Sequence, residues 1–425
     1  MWKLPESRAE TVFADYKSAY TSAQAIAEAQ RCLYCFDAPC VRACPTSINI
    51  PEFIRKIATD NVKGSARTIF TSNILGMSCA RVCPVEVLCV GDCVYNALDI
   101  PPIQIGRLQR YSTDRALEDG WRFFTAGPDT GKSVGLVGAG PASIAAAHEL
   151  RRFGHAVTIY EKAQIPGGLN VTGVAPYKLR ADDALAELNW VLGIGGIDIK
   201  TGVEVGKDVS WSELGAAHDA VFLGLGLGPD RKLPGSDKSG IHGAVEYIER
   251  FKLGMVDVAS VKHAAVLGGG NTAVDCVREL LGLGIASVTM VYRGGESKMS
   301  GYKHEWKAAK VQGARALWGA TPTGFVGDSA VAGVRVHTPE GDRIVTADLV
   351  LIAIGQGKLG ESLVASGVAV RDGTVVVDPH GATTRAGWFA AGDLSNGGKE
   401  VVNAVAEGQR AARSIHQHLS GGAHA

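Results

Sequence analysis

From Ser133 onward short apolar runs recur along the chain, SVGLVG, AVTIYE, AVFLGLG, AAVLGGG, SVTMVYR and LVLIAIG, separated by segments of helical character. Strands of this kind alternating with helices predict parallel βαβ units. Upstream the pattern is different. TSAQAIAEAQRCL and PEFIRKIATD have helical spacing, are interrupted by cysteines, and give way to the polar stretch AGPDTGK, which reads as a linker. The expected architecture is an α-helical domain over residues 1–130 followed by an α/β protein of two tandem Rossmann-like dinucleotide-binding domains. The first of these is split into 131–241 and 347–425, with the second, 242–346, inserted between its halves.

Two of the apolar runs open onto glycine loops. In VGLVGAGPASIAAAHELRRFGHAVTIYEK, Gly138, Gly140 and Ser143 occupy the G-x-G-x-x-small positions between a strand and an amphipathic helix, with Pro141 and Ala142 completing the loop. Glycines allow the tight turn and close approach of a pyrophosphate, and the helix start offers free N–H groups and the positive end of its dipole. Glu161, followed by Lys162, ends the next strand 21 residues after Gly140, where a carboxylate can accept hydrogen bonds from a ribose. A tight turn without ligand would use the same glycines, but not the strand, helix and acid together.

A second contact region, TTRAGWFAAGD, places Gly392 and Asp393 at the end of an apolar run. The helix starting near Val401, just after Glu400, is expected to aim its N-terminal amides at a flavin ring. Gly167, Gly168 and Leu169 supply a further close approach, and Gly226 and Gly355 end two of the apolar runs. These residues assign FAD to the first unit. The second loop, AAVLGGGNTAVDC, puts Gly268, Gly270 and Ala273 in the same setting, with Asn271 and Thr272 able to bond phosphates, and is assigned NAD(P)H. Arg293, in SVTMVYRGGE, favours a 2′-phosphate, whereas Gly294 and Gly295 add no second cation and Glu296 suits a free 2′-hydroxyl. The lean is slightly to NADH.

Composition narrows the class. Over 425 residues, 43 Lys plus Arg balance 43 Asp plus Glu, which removes the electrostatic footprint of a nucleic-acid or anionic-membrane binder. No stretch approaches the ~18 apolar residues of a membrane span, and the charged N-terminus lacks a signal-peptide core. A cytoplasmic protein is expected. Eight of nine cysteines lie between positions 32 and 93, and in a reducing compartment clustered thiols point to metal.

Their order is Cys32-x2-Cys35-x4-Cys40-x3-Cys44-Pro45, then Cys79-x3-Cys83-Pro84-x4-Cys89-x3-Cys93. The first run expands the ferredoxin spacing, in which the last cysteine before proline ligates the other cluster. Cys32, Cys35 and Cys40 then hold one [4Fe–4S] cluster and Cys44 crosses to a second. Paired structural zinc sites and inert packed cysteines are the alternatives.

The cysteine domain followed by GAGPAS, GGGNTA and AAGD resembles, over nearly the whole chain, the family containing the glutamate synthase small subunit and the N-terminal part of dihydropyrimidine dehydrogenase. SCARVCPVEVLCVGDCVYNALDIPPIQIGRLQR, and PIQIGRLQ above all, looks like the dihydropyrimidine dehydrogenase branch with its separate bacterial PreT-type subunit. The resemblance implies Cys32, Cys35, Cys40 and Cys93 around one cluster and Cys44, Cys83, Cys89 and Gln109 around the other, leaving Cys79 spare. It makes Lys178 a flavin contact. It further implies a larger FMN and iron–sulphur partner that reduces uracil and thymine, because no segment of this chain remains to form a pyrimidine site. No catalytic side chain is assigned, since hydride and electron transfer require no acid or base. The glutamate synthase small subunit is the alternative, and a stand-alone NAD(P)H-dependent disulfide reductase is disfavoured by the isolation of Cys276.

Overall fold

The N-terminal helices pack because their apolar positions recur three and four apart. In Ile50–Ala58 the buried residues are Ile50, Phe53, Ile54 and Ile57, Pro51 occupies the first turn, and Asn49 caps the helix by accepting from Glu52 N–H. This face meets Ile69 and Leu108, from the helices Val62–Ser72 and Ile105–Glu118, in one core that also gathers six of the nine cysteines at its margin. The computed structural model describes residues 2–6 and 8–421. None of its helices is long and apolar enough to cross a membrane.

Two five-stranded parallel sheets follow. The first runs Trp388–Ala390, Ala220–Leu223, Ser133–Val137, Ala156–Glu161, Ile197–Thr201. Its central strands are buried almost end to end because helices cover both faces, notably Pro141–Arg152 against Val401–Leu419. The second sheet runs Ile241–Gly243, Leu349–Ile352, His263–Leu267, Ser287–Tyr292, Arg315–Trp318, and carries a three-stranded antiparallel excursion between Thr321 and Thr346.

The second sheet corrects one boundary. Leu349–Ile352 lies beyond residue 346, the expected end of the inserted unit, yet it pairs in register with Ala264–Leu267 and belongs to the second sheet. An apolar run shows that a strand is buried on both faces but not which neighbour takes its hydrogen bonds. The chain rejoins the first sheet only at Trp388, which pairs with Val221. The outward and return crossings run side by side, with Gly228 N–H donating to Gly357 O and Gly357 N–H to Pro229 O.

Candidate functional site

The first glycine loop has the form a dinucleotide needs. Gly138 has φ +88°, and a Cβ there would stand 2.7 Å from the Gly224 carbonyl oxygen, so only glycine fits. Gly140 differs: its backbone is extended (φ −78°, ψ 179°), and a Cβ would meet no protein atom within 4 Å. It faces an open cradle at the start of Pro141–Arg152. Gly168 comes close enough that its Cβ would lie 2.9 Å from Gly140 Cα, which brings the Gly167–Gly168 pair against the loop. Ser143 Oγ, which lies against Gly224, and Asn170 Oδ1 are buried without a protein hydrogen-bond partner. An open cradle at a helix start with free N–H groups fits the diphosphate portion of FAD.

Glu161 reaches the same loop, its two carboxylate oxygens accepting from Ala139 N–H (2.7 Å) and Ala163 N–H (2.8 Å). Each oxygen keeps a further lone pair for a ribose hydroxyl. Lys162 is an exposed neighbour. Leu169 starts the short helix Leu169–Thr172 and is 36 % exposed. Gly392 has φ +72°, and Asp393 Oδ1 accepts from Lys399 N–H, 3.0 Å away; burial pushes the Asp393 carboxyl up. Val401 begins the long helix, with Glu400 as its cap. Gly226 (φ +71°) and Gly355 (φ +100°) both face open space.

In the second loop Gly268 has φ +142° and a Cβ there would stand 2.2 Å from Ala353 O, while Gly270 again faces open space apart from Ser300 Oγ. Asn271 and Thr272 start the helix Asn271–Gly282, into which Ala273 is fully buried. Asn271 Oδ1 already accepts from Tyr302 N–H. Arg293 is exposed. Glu296 is turned elsewhere, bound to Lys310 Nζ at 2.7 Å and Trp306 Nε1 at 3.1 Å.

The cysteines form two groups. Cys32, Cys35, Cys40 and Cys93 line one cavity walled by Ile50, Ile54, Ile103 and Ile105. Burial and the neighbouring Cys32, Cys93 and Cys35 push the Cys40 thiol up to about 12. In the other group Cys89 feels Cys83 and Cys44 as close like charges once burial is counted. Four iron-binding thiolates at the corners of a cluster stand farther apart than the ligands of one zinc. Among the described residues no three Cys, His, Asp or Glu side chains are grouped to hold a single ion. The apolar, four-thiol cavity fits a [4Fe–4S] cluster.

Cys79 is buried beside Cys83, whose thiol is raised first by a hydrogen bond with it and then by burial. Gln109 is 7 % exposed and donates from Nε2 to Gly76 O at 2.7 Å, leaving Oε1 as its ligand-capable end. Cys276 is buried, with a thiol raised well above its usual value by burial, which is the opposite of a reactive redox thiol.

Residues 8–121 match the family described as dihydropyrimidine dehydrogenase domain II, 4Fe–4S cluster, and residues 132–408 match pyridine nucleotide-disulphide oxidoreductase. The chain is 36 % identical over 95 % of its length, and 96 % of the relative's, to the NAD-dependent dihydropyrimidine dehydrogenase subunit PreT of Escherichia coli K12. It is 34 % identical to the glutamate synthase [NADPH] small chain of Azospirillum brasilense, covering all of this chain and 95 % of that one. The chain belongs to this family of iron–sulphur pyridine nucleotide oxidoreductases. The thioredoxin reductase of T. acidophilum shares the α/β fold at TM-score 0.57 and 22 % identity, over 67 % of this chain and 98 % of that one.

As a member of the family the chain is an NAD(P)H- and FAD-dependent oxidoreductase with a 4Fe–4S domain. Two of its site residues, Lys17 and Glu187, carry no sequence signal. Lys17 Nζ donates to Cys83 O at 2.6 Å across 66 positions. Glu187, fully buried on a helix of the first α/β unit, accepts from Met77 and Ser78 at the start of the helix that leads to Cys83. Lys178 is a buried ammonium lying 2.7 Å from Asp275 and 2.8 Å from Glu305, so it bridges the two α/β units of this oxidoreductase. A flavin contact is not needed to account for its charge.

Proposed function

We infer that this oxidoreductase is the electron-input subunit of a dihydropyrimidine dehydrogenase. It oxidises NADH in preference to NADPH and supplies a larger FMN- and iron–sulphur-containing subunit that reduces uracil and thymine to their 5,6-dihydro forms. The observation that carries this reading is Gln109, a neutral amide buried against the helix that ends at Cys83. The resemblance separates the pyrimidine branch from glutamate synthase at this residue.

When bound, FAD would supply the link between two-electron hydride donation by nicotinamide and the one-electron chemistry of iron–sulphur clusters. The chain's own residues bind and orient. The Gly138–Ser143 loop, Glu161, Gly168 and Asp393 hold FAD, and Gly268–Ala273 holds the nicotinamide nucleotide. Cys32, Cys35, Cys40 and Cys93 hold one cluster; Cys44, Cys83, Cys89 and Gln109 hold the other. The preference for NADH rests on Arg293 standing without a second cation at Gly294 or Gly295, and the PreT relatives are themselves named NAD-dependent.

The test is a division of labour. The purified holoenzyme oxidises NADH with an artificial one-electron acceptor and shows no uracil-dependent turnover until the partner is added. Uracil reduction by this chain alone overturns the reading. Because a glutamate synthase small chain is 34 % identical over the whole chain, the same assay is run with a glutamate synthase large subunit. Turnover with that subunit and not with the pyrimidine subunit selects the other branch.

A further inference from the structure

Three contacts converge on Tyr302. Its segment lies on the second glycine loop, where Gly301 N–H donates to Gly269 O at 2.9 Å and Tyr302 N–H donates to Asn271 Oδ1 at 2.9 Å. Its side chain crosses to the first α/β unit, where the hydroxyl donates to Glu400 Oε1 at 2.5 Å. On its other side the ring stacks on His304 (5.6 Å, 18°), which in turn lies 3.3 Å from Glu86, in the loop between Cys83 and Cys89. Tyr302 therefore ties the nucleotide loop to the cap of the helix Val401–Leu419. A nicotinamide held by the first must meet a flavin lying at the second.

Glu400 is unusual for a capping acid. It makes no side-chain hydrogen bond to its own helix, and its carboxylate is spent on Tyr302 instead. Burial pushes this carboxyl up while the Tyr302 hydrogen bond pulls it down. A half-buried carboxylate that loses its only side-chain donor is left less well solvated than in water unless another donor takes its place. A carboxamide NH2 is such a donor, and the nicotinamide ring carries one.

We propose that Tyr302 is the gate of the nicotinamide site: its bond to Glu400 closes the junction between the two α/β units, and incoming nicotinamide displaces the hydroxyl and gives Glu400 the carboxamide N–H in exchange. Tyr302 is a positioning residue, and the exchange leaves the half-buried Glu400 carboxylate paired throughout. The ADP-ribose half of the nucleotide, assigned to Gly268–Ala273, carries no carboxamide and has no donor for this exchange. The inference rests on the nucleotide-site assignment and is independent of which partner takes the electrons.

The two halves separate in a binding experiment. Calorimetric titration of the holoenzyme compares NAD⁺ with ADP-ribose, and NADP⁺ with 2′-phospho-ADP-ribose as the matching pair. Tyr302→Phe keeps the ring and removes the latch, so the nicotinamide nucleotide binds about tenfold tighter while ADP-ribose is unchanged. Glu400→Ala removes the acceptor of both bonds, so the exchange no longer contributes and the gain from Tyr302→Phe is abolished in the double variant, again with ADP-ribose unchanged. Equal changes for both ligands, no gain in Tyr302→Phe, or a gain that persists without Glu400 overturns the gate. Gly270→Val fills the open cradle and abolishes both ligands. Retention of ADP-ribose by that variant overturns the nucleotide-site assignment, and the gate with it.

Discussion

Glu187 and Ser78 meet across the boundary between the cysteine domain and the first α/β unit. The carboxylate accepts from the Ser78 backbone N–H at 3.0 Å, from its hydroxyl, and from the adjacent Met77 N–H at 2.7 Å. These are free donors at the start of Gly76–Val82, the helix that runs on to Cys83 and whose Gly76 carbonyl receives Gln109. One carboxylate thus fixes a ligand-bearing helix to the flavin unit. Glu187→Ala leaves buried donors unpaired and is expected to cost about 3 kcal/mol, read as a lowered thermal midpoint together with loss of iron from the second group.

The same residue sets a pH dependence. Burial pushes the Glu187 carboxyl up to about 7, against the pull of its donors and of Arg81. The folded chain therefore holds a proton that the unfolded chain releases between its ordinary value of 4.5 and about 7. In that window the folded state binds more protons, so this contribution to stability falls as pH rises. Thermal midpoints measured across the window for wild type and Glu187→Gln are expected to converge toward higher pH as the wild-type advantage is lost.

Gly140→Val tests the FAD cradle cleanly. The backbone at Gly140 is one that any residue adopts and no protein atom opposes a Cβ, so the added methyls fill only the space assigned to the diphosphate. A folded protein lacking bound flavin is expected, seen as normal far-ultraviolet dichroism without flavin absorbance. Full flavin occupancy in this variant refutes the cradle.

Iron content separates ligand from neighbour in the second cysteine group. Wild type is expected to carry about eight irons for two four-iron clusters. Cys83→Ala should lose about four of them and Cys79→Ala none. Gln109→Ala should keep most of the iron but make one iron labile, with an altered electron-spin signal and slower transfer to the partner. Rapid-mixing reduction of the flavin by NADH should stay near wild type.

Nucleotide selectivity is best probed at Gly295 and not at Gly294. A Cβ on Gly294 would stand 2.8 Å from the Tyr292 ring, whereas one on Gly295 meets nothing within 4 Å. Gly295→Arg adds a second guanidinium beside Arg293 without disturbing the strand end, and should move kcat/KM toward NADPH by about tenfold, or ~1.4 kcal/mol. A wild type that already prefers NADPH by that margin contradicts the NADH assignment.

Much of this molecule is written locally. A glycine loop between strand and helix, or four cysteines within thirteen residues before a proline, depends on neighbours in sequence: Gly138 must adopt positive φ, and Cys32 to Cys44 share one short segment. Periodicity likewise separates the helical domain from the parallel units, because burial on one stripe or on both faces is a property of each element. The structure decided what depends on contact between distant segments. Leu349–Ile352 is an apolar strand by any reading, and only its hydrogen bonds to His263–Leu267 place it in the second sheet. The approach of Glu187 to Ser78, of Lys17 to Cys83, and of Tyr302 to Glu400 spans 66 to 109 positions. A lone buried charge or hydroxyl has no periodicity to announce it, and its partner is chosen by how the domains pack.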